Sequence, residues 1–164
     1  MPRDVVVSSA GDLYIADLHN QVIRKVNATS GNISTVVGNG DLGHHGNNAL
    51  ATTAALRFPS GIEMDESENL WISEEWGHNV RRVTDGMISI FAGTGASGFY
   101  GEGVLATNAK LYSPFGVCRD NNGNIYFADR RNHRVRMINI SNSKIYTVAG
   151  ISLLVFLSLL QIMN

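Results

Sequence analysis

GDLYIADLHNQVIRKV, Gly11 to Val26, is matched without gaps by ENLWISEEWGHNVRRV, Glu68 to Val83, and by GNIYFADRRNHRVRMI, Gly123 to Ile138. Each copy reads as a turn, an apolar strand, an acid and a second strand. The self-match recurs at shifts of about 55 to 57 residues, and a fixed period of that length marks a repeat architecture. Working outward, Pro2, Pro59 and Pro114 start three units, and Gly38, Gly93 and Gly150 close their strand-rich parts.

Within each unit, four short runs of β-branched and aromatic residues are separated by Gly, Asn, Asp and Ser, the sequence form of a four-stranded antiparallel meander. In the second unit the runs are Ile62 to Asp65, Leu70 to Ser73, Asn79 to Val83 and Met87 to Ala92; in the first they fall near 4 to 8, 13 to 16, 22 to 26 and 33 to 37. Long helical periodicity is absent. Antiparallel meanders with tight hairpins, repeated along a chain, predict an all-β fold in which each unit is one blade of a β-propeller. The units are 2–38, 59–93 and 114–150, with inserted loops at 39–58 and 94–113. The loops share Gly, Ala-Thr, Ala, Leu, Pro and Gly at matching places. Their Ala-Thr-x-Ala-x-Leu stretch predicts a single helical turn pinned by Leu56 or Leu111.

The 164 residues are 44% hydrophobic, enough for a substantial core. With 13 basic and 14 acidic side chains, no global field draws the protein toward nucleic acid or anionic membrane. A lone Cys118 excludes an intramolecular disulfide and any cysteine-based metal site. The first residues, MPRD, have neither the charged start nor the apolar core of a secretory signal, and leave the compartment open. The last stretch, ISLLVFLSLLQIM from Ile151 to Met163, is apolar; as a helix it would span only about 20 Å of a roughly 30 Å hydrocarbon core. The 151–164 tail is therefore read as a short membrane anchor, a buried segment or a mistaken end.

The P-x-G-[IV] opening, N-[IL]-[YW]-[IF] followed by an acid, N-H-R-V-R and the T-V-A-G closing resemble NHL repeats over residues 2–150. The resemblance implies a propeller, usually of six blades, of which three are present here, with mostly binding functions. It also implies two alternatives: a metal-dependent lyase or hydrolase with histidines in the channel, and an RNA-binding propeller.

A residue kept in all three units serves the blade first, since a unique site needs it once. Asp17, Glu74 and Asp129, directly after the second strand, are read as acceptors for backbone N–H groups in the turn ahead. Arg24, Arg81 and Arg136 recur in the third strand, share a face with an apolar neighbour, and are expected to be partly buried and paired with those acids. Residues departing from the repeat are the candidates for binding: Glu75, Trp76, His78, Arg130, Arg131 and His133 in the second-to-third strand turns, with His19, and Tyr100, with Glu102, in an inserted loop. Both kinds of loop are expected on one face. A zinc site from His44, His45 and His78 has no His-x-x-x-His or cysteine pair behind it, so no metal or cofactor is expected. Arg119, Arg130, Arg131, Arg134 and Arg136 form the only candidate nucleic-acid patch. No nucleophile-base-acid order, phosphate loop or dinucleotide fingerprint occurs.

These residues predict a non-catalytic scaffold whose loop-bearing face binds a protein or carbohydrate partner. Three blades leave two end faces uncovered, so the chain is expected to be part of a larger ring or to complete one by self-association.

Overall fold

The computed structural model describes residues 1–43 and 45–150; His44 and the apolar 151–164 tail lie outside the described residues. Three antiparallel sheets follow one another along the chain. Blade 1 holds β1 (Pro2–Val7), β2 (Leu13–Asp17), β3 (Val22–Val26) and β4 (Ile33–Val37). A two-residue strand, β5 (Ala49–Leu50), precedes blade 2, which holds β6 (Pro59–Met64), β7 (Leu70–Glu74), β8 (Asn79–Thr84) and β9 (Met87–Ala92). Blade 3 holds β10 (Pro114–Arg119), β11 (Ile125–Asp129), β12 (Arg134–Asn139) and β13 (Lys144–Ala149). Each is an up-and-down meander, and β5 adds to the outer edge of blade 2.

The inner strands start at the prolines, earlier than the apolar runs alone suggest. Each proline stands opposite the recurrent acid, Pro2 to Asp17, Pro59 to Glu74 and Pro114 to Asp129, and a bulge follows before regular pairing resumes. As first residue of its strand, proline sacrifices no ladder bond. A second recurrent irregularity, in the pairing of third and fourth strands, falls at Ile23/Arg24, Val80/Arg81 and Val135/Arg136. It sets the register of each arginine.

The closing glycines are fixed by both conformation and space. Gly38, Gly93 and Gly150 have φ of +91°, +89° and +90°, and a Cβ there would run into the carbonyls of Gln21, His78 and His133. The turn before β3 and its counterparts is thereby packed against the end of the fourth strand.

Two buried seams hold the blades together. The first joins Tyr14, Ala16, Ile23 and Val37 of blade 1 to Ile62, Leu70, Ile72 and Ile88 of blade 2, with Ala51, Ala54 and Leu56 of the inserted loop between them. The second repeats this with Trp71, Val80 and Ala92, then Val117, Ile125, Phe127, Ile138 and Ile145, with Ala106, Ala109 and Leu111 wedged between. The expected helical turn is a single 3-10 turn, Ala51–Thr53 or Ala106–Asn108. Leu56 and Leu111 are fully buried beneath it.

Each inserted loop thus acts as a clasp across a seam. The N–H groups of Gly38 and Gly93 donate to the carbonyls of Ala51 and Ala106, tying the clasp to the blade it leaves. It also pairs with the outer strand of the blade it enters. Ala49 and Leu50 pair with Ile88 and Met87. In blade 3, the Gly103 N–H donates to Ile145 and the Ile145 N–H to Val104. A strand edge that would otherwise offer unpaired backbone groups is closed in this way.

Candidate interaction face

The recurrent acid and arginine anchor each turn from below. Glu74 Oε1 accepts the Arg57 N–H at 2.8 Å, and Asp129 Oδ1 accepts the Tyr112 N–H at 2.7 Å. This corrects the expected role: the backbone donor is the last stretch of the arriving clasp, not the turn ahead. The turn ahead is held through side chains instead, Asn20 donating to Asp17 at 2.7 Å and Asn132 to Asp129 at 2.8 Å. The proline–acid register explains the switch, because it places the carboxylate beside the chain entering the inner strand.

Arg81 and Arg136 are wholly buried, more than the sequence implies, with guanidinium nitrogens 3.7 Å from Glu74 and 3.6 Å from Asp129. Burial pushes both carboxyl groups above their ordinary range, against the pull of the neighbouring arginine. Arg136 also donates to the Gly101 carbonyl of the clasp. Arg24, by contrast, stays half-buried and donates to Thr35 Oγ1. Glu74, Arg81, Asp129 and Arg136 are thus arranged as blade braces, whereas Asp17 and Arg24 border a groove of about 530 Å³ beside blade 1.

Above the braces lie the turn residues. Trp76 is 54% exposed, with its ring 5.4 Å from that of Phe58, whose other side meets the edge of His19 at 6.4 Å. Glu75 is ion-paired with Arg130 across the second seam. Arg130 stacks over Phe115 at 5.6 Å, and Arg131 over Tyr112 at 5.3 Å with a hydrogen bond to its hydroxyl at 3.2 Å. His78 meets Tyr112 edge-on at 5.5 Å. Trp76, Glu75, His78, Arg130 and Arg131 therefore sit on a continuous aromatic and cationic row along the tops of two seams. Phe58, Tyr112 and Phe115, which sequence reasoning passed over, form its supports; their signal was an aromatic adjoining each internal unit-opening proline.

His78 has a structural duty as well. Its Nδ1 accepts the Ser113 N–H at 3.2 Å, and Gln21 Oε1 does the same for the Phe58 N–H at 2.7 Å. Gln21, His78 and His133 occupy one repeat position, each left-handed with φ of 58°, 53° and 54°. An acceptor there ties one blade to the residue just before the opening proline of the next. Burial, then Arg57 and Arg131, hold the His78 imidazole below its ordinary value, in keeping with a neutral ring whose Nδ1 lone pair is engaged.

The ends of the inserted loops lie with this row, Phe58 and Tyr112 among its supports and the Gly98 carbonyl accepting from Asn132 at 2.8 Å, but their middles do not. Tyr100 is exposed where its backbone pairs with Lys110, and the Glu102 carboxylate accepts the Thr147 N–H at 2.9 Å on the outer edge of blade 3. The middle of the clasp crosses the outer edge of the blade, while its ends reach the turns. His133 is exposed beyond the second seam, in the turn of blade 3.

Among the described residues no group of three His, Cys, Asp or Glu side chains is placed to hold a metal. His78 spends a ring nitrogen on Ser113, His45 stands exposed in its clasp, and the inner strands PRDVVV, PSGIEM and PFGVCR contain no histidine. Of the five arginines in the possible nucleic-acid patch, Arg119 pairs with Glu66, Arg130 with Glu75, and Arg136 is buried. Arg134 stacks on Phe99 at 3.6 Å.

The NHL repeat matches residues 111–137. NHL repeat-containing protein 2 of Bos taurus is 26% identical over 88% of this chain, which spans 21% of that protein. Among solved structures, virginiamycin B lyase from Staphylococcus aureus superposes with a TM-score of 0.61 at 17% identity, over 92% of this chain and 42% of the lyase. An auxiliary nutrient binding protein from Bacteroides thetaiotaomicron gives 0.65 at 16% identity, over 90% of this chain and 35% of that one. The chain thus spans about a fifth of the curated relative and less than half of either solved chain, and the structural likeness is one of fold.

Proposed function

We propose that this chain, an NHL-repeat protein folded as three propeller blades, is a non-catalytic binding module that takes a protein partner on the row of turns above its seams. The observation that carries this reading is Trp76, half-exposed yet held at a defined angle against Phe58. A large aromatic already immobilised in the free protein contributes contact area with little further ordering cost. Arg130 and Arg131 on the same row are likewise held over aromatic rings, and tryptophan and arginine are both enriched at the centres of protein interfaces. A catalytic reading lacks equivalent support, because Glu74 and Asp129, the acids that burial raises, are committed to braces.

The test compares affinity capture by the native chain with capture by Trp76→Ala and Arg131→Ala. A partner retained by the native chain is expected to bind Trp76→Ala at least ~10-fold more weakly, corresponding to about 2 kcal/mol for a central tryptophan. Melting temperature should barely change, since the side chain is half in water. Undiminished capture by both variants would place the binding surface elsewhere.

A further inference from the structure

Lys25, Arg82 and Met137 occupy one repeat position, opposite Tyr14, Trp71 and Tyr126 of the second strands. In blade 1 the cation is answered, with Lys25 Nζ 2.7 Å from Asp12. In blade 2 the place of Asp12 falls to Asn69, whose amide donates to Asp65 at 2.7 Å, and in blade 3 to Asn124, where the cation itself gives way to Met137. Blade 2 therefore keeps the base without the acid. Among the described residues no carboxylate pairs with Arg82. Its guanidinium is held 5.6 Å over the Phe91 ring, and its Nε–H is buried without a hydrogen-bond partner. Trp71, directly opposite, and Thr84, two residues on, share its face of the sheet, and Trp71 Nε1 and Thr84 Oγ1 lack partners too.

Arg82 lines a recess of about 180 Å³ on the outer side of the second seam. Ser89 of β9, Thr107 of the clasp and Ser143 of blade 3 each contribute a hydroxyl-bearing side chain to its walls. Blades 2 and 3 enclose it between them, so it belongs to neither end face of the array.

We propose that this recess binds a small tetrahedral oxyanion of the phosphate or sulfate class, held between blade 2, the clasp and blade 3. The guanidinium supplies charge and a fork of donors, pre-aimed by its stacking on Phe91. Hydroxyls from three separate elements surround it, and donors arriving from several directions suit a tetrahedral anion better than a planar carboxylate. Water would satisfy the Nε–H but leave the cation unanswered between Phe91 and Ile138. The size sets the class of ligand, because the recess is well below the roughly 300–1,000 Å³ of pockets that take drug-sized molecules. This site is separate from the turn row, and either can fail without the other.

Calorimetric titration of inorganic phosphate into the full chain, at constant ionic strength against chloride, tests the proposal. Saturable one-to-one binding is expected, with a melting temperature that rises with phosphate. Arg82→Met, the residue that blade 3 carries at this position, should weaken binding at least ~10-fold and remove the rise, with melting in chloride unchanged. Ser89→Ala, which leaves the guanidinium in place, should weaken binding about 3-fold and provides a second variant if the first does not fold. O-phosphoserine titrated alongside separates two sources of the same chemistry: tighter binding than inorganic phosphate assigns the recess to a phosphoryl group on a larger molecule, equal or weaker binding to the free anion, and either upholds the site. Absence of saturable binding, undiminished binding by Arg82→Met and Ser89→Ala, or an equal rise in chloride would overturn it.

Discussion

The hydrogen bond from the Ser113 N–H to His78 requires an unprotonated Nδ1, because a doubly protonated imidazolium has no lone pair to offer. Protonation would also bring a positive charge toward Arg57 and Arg131. The folded protein therefore holds this ring below its ordinary value, while the unfolded chain titrates near 6.5. Where the unfolded state binds the proton first, stability rises with pH. The contribution is complete above the unfolded value and is lost as pH falls through the lower folded one. Thermal melts between neutral and mildly acidic pH should show this loss, and His78→Gln should remove that part of the slope. Glutamine fits because Gln21 already performs the same duty in blade 1. A slope unchanged in the variant would assign the acid sensitivity to other groups. The repeat alignment places Gln21, His78 and His133 in one column, but an acceptor shared by an amide and an imidazole does not look like a motif. Composition alone marks His78 as a candidate ligand, and only the Ser113 contact reveals its second role.

At the scale of the element, the clasp is as much a part of the blade as the strands are. Asp129 fixes its final residues through the Tyr112 N–H and also stands beside the buried Arg136. Asp129→Ala should release the end of the clasp and leave a buried guanidinium without its anion, costing about 3 kcal/mol in chemical denaturation. Asp17→Ala, where the matching Arg24 is half in water, should cost less, about 1 kcal/mol. Equal losses would show that burial of the arginine is not what sets the cost. The strands were legible because alternation, turn residues and the Pro-to-Gly frame repeat three times. The clasp was only half legible. Leu56, Leu111 and the helical turn announce themselves by type and spacing, whereas β5 is two residues long and has no alternation to read. Its pairing with β9 depends on a long-range edge that no local pattern encodes, and so the course of the loop's middle along the outer strand was not foreseen, although its ends do lie beside the turns.

At the scale of the whole molecule, the two ends of the row differ in character. Blade 1 presents the polar-edged groove with Arg24, and blade 3 an apolar hollow of about 360 Å³ lined by Phe115, Val117, Tyr126 and Val135 among others. Such a hollow, the blade 3 counterpart of the face that buries Tyr14 and Ile23 at the first seam, favours association. Light scattering at micromolar concentration should find the chain larger than a monomer. A monodisperse monomer with one cooperative melt would instead show that two seams suffice for a stable fold.

Because each clasp is spliced into the blade that follows it, the unit of inheritance is not the unit the eye counts. A duplication or transplant that copied residues 59–93 alone would deliver a meander with a bare outer edge, prone to pair with whatever strand it met. Copying 39–93 or 94–150 instead carries the edge cover along with the sheet, and the seam alanines with it. The workable joints for recombining such blades therefore lie just after Gly38 and Gly93, where one blade has ended and the cover of the next has yet to begin.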